Sequence, residues 1–286
     1  MKDKVKMGLQ NIRLVAIDMD GTLLTSDKSI LPETEEAIGI AEKAGIHVVL
    51  ATGRALAEIE GYSRALGPIS YGITESGGLL YDFRNKRVLW RHSFDEPMKK
   101  TVVAASLQEE VLLQTMEGGA VIMEDGCLNQ LARHQVEHFA ELFQESCTMV
   151  PDMRSHILEA DSMMEKINLY HTDRAARART RKRLAETGLE LADSEYTSLE
   201  ISPPGVSKGN ALTQLCRQIG IAINETAAIG DSDNDLSLLR AAGYAVAMGN
   251  ANERIKSISR QVTADCDHDG VGLFLRKLAE KNTPTD

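Results

Sequence analysis

Apolar residues come in short runs that end on acids or hydroxyls. Leu14-Val15-Ala16-Ile17 is uninterrupted and stops at Asp18. Such a run, with no alternation, reads as a strand buried on both faces of a parallel sheet. Pro32 then opens a helical stretch with Ile38, Ile40, Ala41 and Ala44 as its apolar set and Gly45 as its stop. Ile46 to Leu50 is a second strand, followed by Ala51-Thr52-Gly53-Arg54 and a helix predicted from Ala55 to Leu66. Strand, helix, strand, helix marks an α/β unit with right-handed crossovers. The pattern returns late in the chain: a helix over Lys208 to Ile219, a strand over Thr226 to Ile229, a helix over Leu236 to Ala242 and a strand over Tyr244 to Met248.

Between these halves the texture changes. Val88-Leu89-Trp90, Ala120-Val121-Ile122-Met123 and Lys166-Ile167-Asn168-Leu169-Tyr170 read as strands. Val102 to Gln114 and Ala175 to Thr187 read as helices. This middle is predicted to be an inserted α+β domain with crossings near residues 82–85 and 195–205, the second at the rigid turn Pro203-Pro204-Gly205. The expected fold is a doubly wound parallel α/β core, residues 1–82 and 197–286, carrying an α+β cap over residues 83–196.

The chain has 286 residues, 43% hydrophobic and 26% charged, enough for one large or two medium soluble domains. Aromatics are only 4% and the net charge is −10, which disfavours nucleic acid and anionic membranes as partners. A phosphate site in such a chain must bring its own cations or a metal. Cys127, Cys147, Cys216 and Cys266 form no C-x-x-C pair, so free thiols and a reducing, cytoplasmic setting are expected. Met1 to Gln10 has no apolar signal core, and no run is long enough to span a bilayer. The basic segment Arg174 to Arg183 reads as an anion-binding face or a solvated helix face, and the second is favoured.

Four strings carry chemistry. Asp18-Met19-Asp20-Gly21-Thr22 directly follows a buried strand, where a doubly wound sheet binds its ligands. Two carboxylates at i and i+2 on a tight turn can face one substrate or metal, and their repulsion calls for a cation or a shared proton. Thr52-Gly53-Arg54 offers a hydroxyl and backbone N–H groups for a phosphate, although a helix N-cap is the commoner use of such a threonine. Ser207-Lys208-Gly209 puts a lysine at a helix start, against the dipole, which suggests that the charge is needed there. Gly230-Asp231-Ser232-Asp233-Asn234-Asp235 is a hard-oxygen cluster suited to magnesium. Leu236 and Ala242 stand where a calcium loop of the EF-hand type needs Gly and Glu.

In this order the four strings resemble the haloacid dehalogenase-like (HAD) phosphatases, in the Cof-type branch with a large α+β cap between the second and third. The resemblance spans essentially the whole chain, strongest at residues 14–24, 50–54, 199–210 and 228–251 and weak through the cap. It implies that Asp18 is the nucleophile and Asp20 the general acid/base. It implies phosphate binding by Thr52, Gly53, Lys208 and Asn234. It implies Mg2+ held by Asp18, the Asp20 backbone carbonyl, Asp231 and Asp235. Two stretches depart from the family pattern: Thr74-Glu75-Ser76-Gly77-Gly78, where relatives often carry Asn-Gly, and Asp265-Cys266-Asp267-His268-Asp269-Gly270-Val271. The expected activity is hydrolysis of a small phosphorylated metabolite, a sugar phosphate or nucleotide-related phosphate, through an aspartyl-phosphate, with the cap choosing the leaving group. A phosphomutase of the same fold and a non-catalytic phosphosugar-binding regulator are the rivals.

Overall fold

The computed structural model describes residues 9–62, 65–67, 69–159 and 161–282. The chain begins with β1 (Leu14–Ile17), α1 (Pro32–Lys43), β2 (His47–Ala51), α2 (Leu56–Ile59), β3 (Tyr71–Thr74), β4 (Leu79–Asp82) and β5 (Arg87–Arg91). Next come α3 (Glu96–Ser106), β6 (Val111–Glu117), β7 (Ala120–Glu124), α4 (Ala140–Ser146), β8 (Cys147–Val150) and α5 (Met153–Leu158). β9 (Lys166–His171), α6 (Arg174–Leu184), β10 (Glu190–Asp193) and β11 (Ser198–Ser202) follow. The chain closes with α7 (Lys208–Ile219), β12 (Thr226–Gly230), α8 (Leu236–Ala241), β13 (Tyr244–Ala247), α9 (Glu253–Ile258), β14 (Gln261–Val262) and α10 (Gly270–Asn282).

Eight strands form the first sheet, in the order β14-β13-β12-β1-β2-β3-β4-β5. From β14 to β3 the pairs are parallel, and β4 and β5 add an antiparallel hairpin. Every residue of β1 and β12 is buried, so both faces are covered, as the uninterrupted apolar runs require. α1 packs with α10 and α7 with α8. Because β1 lies between β12 and β2, the loops after these three strands meet at one end of the sheet.

The second sheet has the order β10-β11-β9-β6-β7-β8, antiparallel except for β7 beside β8. Its strands alternate. Leu113, Ile167, Leu169, Leu199 and Ile201 pack into a core with residues of α3, α5 and α6. Their sequence neighbours Gln114, Lys166, Asn168, Tyr170, Ser198 and Glu200 face the other way, toward the loops of the first sheet.

Three expectations need correction. β5 extends the first sheet, so the entry crossing lies beyond Arg91 rather than near residues 82–85; the turn after Asp82 folds the strand back onto β4. Residues 111–114 belong to β6, not to a helix: α3 ends at Ser106, and Gln114 and Thr115 are buried on opposite faces of a strand. The helix expected from Ala55 to Leu66 is α2 followed by one tighter turn, Glu60–Tyr62, and residues 65–67 are a turn; residues 63 and 64 of that expectation lie outside the described residues. The basic stretch on α6 is neutralised locally, Arg179 and Arg183 on Glu109 and Arg177 and Arg181 on Asp193.

Candidate active site

Asp18 sits one residue past β1 and is almost fully buried. Its backbone N–H continues the parallel ladder to Ile229, 3.0 Å away. Gly21, at φ +80°, reverses the chain directly after Asp20. A Cβ there would lie 2.7 Å from the Asp231 carboxylate, so glycine is required both for the turn and for the approach of the two acidic loops.

Lys208 is the first residue of α7, whose N-cap Ser207 accepts the Asn210 N–H at 3.2 Å. The lysine side chain is buried. Its Nζ donates to Asp18 Oδ1 at 2.6 Å and to Asp235 Oδ1 at 2.7 Å. Its unfavourable place on the helix dipole is thereby explained: it joins the loops after β1 and β12. Asp235 Oδ2 accepts the Asp231 N–H at 3.1 Å and so shapes its own loop. Thr22 donates to Asp231 Oδ1 at 3.3 Å.

Asp18, Asp231 and Asp235 bring a carboxylate oxygen each to within 4.8 Å of one another. Asp18 Oδ2 is buried and has no hydrogen-bond partner. Burial, then Asp235, hold the Asp18 carboxyl well above its usual range against the pull of Lys208. The same causes lift Asp231 to about 6. Burial opposes the charge on Lys208, but Asp18 and Asp235 outweigh it and raise the ammonium. Three converging carboxylates and one lysine leave a surplus of negative charge in a desolvated place, and an oxygen without a donor. Hard oxygen ligands of this kind fit a small divalent cation. The side chain of Asp20 is not part of this cluster.

The Asp20 carboxylate is gripped by Arg54, whose Nε and Nη2 donate at 2.8 and 2.7 Å, and by Lys28 at 2.9 Å. Burial opposes ionisation, but Arg54 and then Lys28 prevail and hold the group at about 2. Thr52 is buried at the end of β2, and its Oγ1 accepts the Arg54 N–H at 3.1 Å. It does not cap α2, whose N-cap is Ala55. The Gly53 carbonyl accepts Lys166 Nζ from β9 at 3.0 Å. Asn234 is exposed on the acidic loop, with Oδ1 accepting from Ser232 at 2.7 Å.

A cavity of about 430 Å3 opens between these loops and the polar face of the second sheet. Asp18, Asp20, Thr52, Gly53 and Asn234 line one side, and Gln114, Lys166, Asn168, Tyr170, Ser198 and Glu200 the other. Lys208 and Asp235 lie behind that first wall, holding Asp18. Sequence reasoning missed the Arg54–Asp20 fork and the Lys166–Glu200 ion pair of 2.7 Å. The alternation Lys166-Ile167-Asn168-Leu169-Tyr170 was the available signal for a polar sheet face.

Residues 15–275 match the haloacid dehalogenase-like hydrolase family. The chain is 31% identical to the phosphatase YwpJ of Bacillus subtilis over 93% of this chain and 100% of that protein. It is 31% identical to the pyridoxal phosphate phosphatase YbhA of Escherichia coli, covering 92% and 97% of the two chains. A solved haloacid dehalogenase-like hydrolase from B. subtilis superposes with a TM-score of 0.82 at 30% identity, over 93% of this chain and 99% of that one. The chain belongs to the haloacid dehalogenase-like hydrolase family. Within it, the chain is a phosphatase of the Cof type, with the second sheet and its helices as the cap.

Proposed function

We propose that the chain is a magnesium-dependent phosphatase that hydrolyses small phosphomonoesters through an aspartyl-phosphate on Asp18. The observation that carries this reading is the state of Asp18. One carboxylate oxygen is held by Lys208 and the other is buried without a partner, at the strand end where the cavity begins. Asp18, Asp231, Asp235 and the Asp20 backbone carbonyl would hold the metal. When bound, the ion shields the charge between an anionic nucleophile and an anionic phosphate.

The protein's own groups supply the rest. The Asp18 carboxylate attacks phosphorus as the bond to the leaving oxygen breaks, and Asp20 gives that oxygen its proton. Water then attacks the aspartyl-phosphate, gives a proton back to Asp20, and frees Asp18 and phosphate. Clamped by Arg54 and Lys28, Asp20 is ionised, the form needed of a base. A bound phosphate competes for both cations, and release from them lets the carboxyl carry the proton needed of an acid. Thr52, Gly53, Lys208 and Asn234 would orient the phosphate. Relatives acting on pyridoxal phosphate and on HMP-PP support a small phosphorylated metabolite, with the cap face choosing the leaving group.

The test is phosphate release from a panel of phosphomonoesters. Activity should require magnesium, vanish with a chelator and return on adding the metal back. Asp18→Asn should abolish turnover with the fold intact by circular dichroism. Near-normal turnover in that variant would refute the assignment.

A further inference from the structure

The cap wall carries two polar atoms that the protein leaves unsatisfied. Asn168 on β9 and Ser198 on β11 both line the cavity, and both are buried. Neither Asn168 Oδ1 nor Ser198 Oγ has a hydrogen-bond partner. A buried polar atom without a partner costs about 1–3 kcal/mol, and native proteins rarely tolerate two on one wall. The orientation of the asparagine is set by its neighbours. Gln114 Oε1 accepts both Asn168 Nδ2 at 2.7 Å and Tyr170 OH at 2.8 Å. The amide nitrogen of Asn168 is therefore committed, and its carbonyl oxygen is the free acceptor.

The charges on this wall point the same way. Lys28 and Arg54 stand on Asp20 at the phosphate end of the cavity, and Lys166 on the cap wall is committed to Glu200. Glu200 is held in its ionised form, since Lys166 and Ser76 outweigh the burial that opposes it. Beside the phosphate end, the cap thus offers a neutral acceptor and a hydroxyl, next to a carboxylate already paired with a lysine. A wall of that kind recognises hydrogen-bond donors and offers no unpaired cation to a second anion.

We infer that Asn168 and Ser198 are specificity-determining residues that bind the donor groups of a neutral leaving group, and that the enzyme takes monophosphates and rejects bisphosphates. The inference rests on the phosphatase reading above and names the substrate class of the same site. It also separates the enzyme from a phosphomutase, which needs a bisphosphate.

The experiment compares fructose 6-phosphate, fructose 1,6-bisphosphate and p-nitrophenyl phosphate, whose leaving group carries no donor beyond the reacting oxygen. In the wild type, kcat/KM for the monophosphate should exceed that for the bisphosphate at least about tenfold, about 1.4 kcal/mol, because the second phosphate finds no unpaired cation on the cap wall. In Asn168→Leu and in Ser198→Ala, the ratio of kcat/KM for fructose 6-phosphate to that for p-nitrophenyl phosphate should fall about tenfold. Equal use of the bisphosphate, or an unchanged ratio in both variants, overturns the inference. Loss of the phosphatase reading looks different: the wild type would hydrolyse none of the three. In that case calorimetric binding of fructose 6-phosphate to the wild type and both variants decides. A tenfold weakening in the variants upholds the subsite and equal affinity overturns it.

Discussion

Glu75→Gln tests a buried carboxyl pair at the junction of the two sheets. Glu75 is fully buried after β3, and its Oε1 accepts the Gly119 N–H at 2.9 Å. Glu165, just before β9, accepts the adjacent Gly118 N–H at 2.7 Å and meets Arg91 at 3.2 Å. The turn between β6 and β7 is thus held by one acid from each side of the junction. Burial first, then Glu165, push the Glu75 carboxyl well above its ordinary 4.5, against the opposing pull of the Gly119 N–H and Lys166. Glu75 Oε2 has no donor facing it and is the natural seat of a proton. Glutamine keeps the acceptor, puts N–H on the second atom, and does not titrate. A folded value raised above the unfolded one gives stability that is present below the unfolded value and lost as pH rises through the folded one. Each unit of displacement is worth about 1.4 kcal/mol. In a chain of this length that is about 2–4 °C in Tm. The gap between Glu75→Gln and wild type should therefore be small near the unfolded value of 4.5 and widen in favour of the variant as pH rises. Scanning calorimetry across a pH series reads it. A gap that stays flat, or narrows with rising pH, would show that Glu75 is already ionised in the native protein.

Three further outcomes follow from the same reasoning. Asp231, held at about 6 by burial and Asp235, costs stability once pH passes that value; Asp231→Asn should raise the Tm of the metal-free protein in mild alkali and erase the rise produced by magnesium, and an intact magnesium response would count against its role as ligand. Gly119→Ala should destabilise by about 2 kcal/mol or more, because φ is +98° and a Cβ would lie 2.6 Å from Leu56 Cδ1; an unchanged denaturant midpoint contradicts this. Burial lowers His134 and His171 below 6.5, so stability should be lost as pH falls from that value through the folded ones; His171→Gln should flatten part of the fall in urea midpoint, and an equally steep fall would exclude that histidine as its source.

The motif loops were legible because each followed an apolar run too short and too continuous to be anything but a central strand. Lys208 was legible as a misfit, a cation placed against its own helix dipole. Partners across the chain were not. Val88-Leu89-Trp90 reads as a strand, but nothing local says that it pairs with β4 rather than within the second sheet. Arg54 was visible beside Thr52, yet its fork onto Asp20 depends on how two turns 34 residues apart approach. Leu112 and Leu113 fit a helix or a strand equally well, and their burial against opposite sides of the second sheet decided it. Glu75 read only as a departure from a family pattern, because its partner Glu165 lies about 90 residues on, within the inserted segment.

The pairing of β1 with β12, Leu14 beside Thr226, has a consequence for biosynthesis. The second sheet uses one continuous stretch, Val111 to Ser202, and can form as soon as that stretch leaves the ribosome. The first sheet cannot: β1 must wait for its central neighbour while about 200 more residues are made, some 10–40 s at ordinary elongation rates. During that interval an apolar parallel strand has an open edge, the kind of surface that attracts chaperones or other nascent chains. The loops that carry Asp18 and Asp231 meet only once β12 pairs with β1, so a ribosome-bound or truncated chain that lacks β12 would carry a finished cap and no assembled acidic cluster.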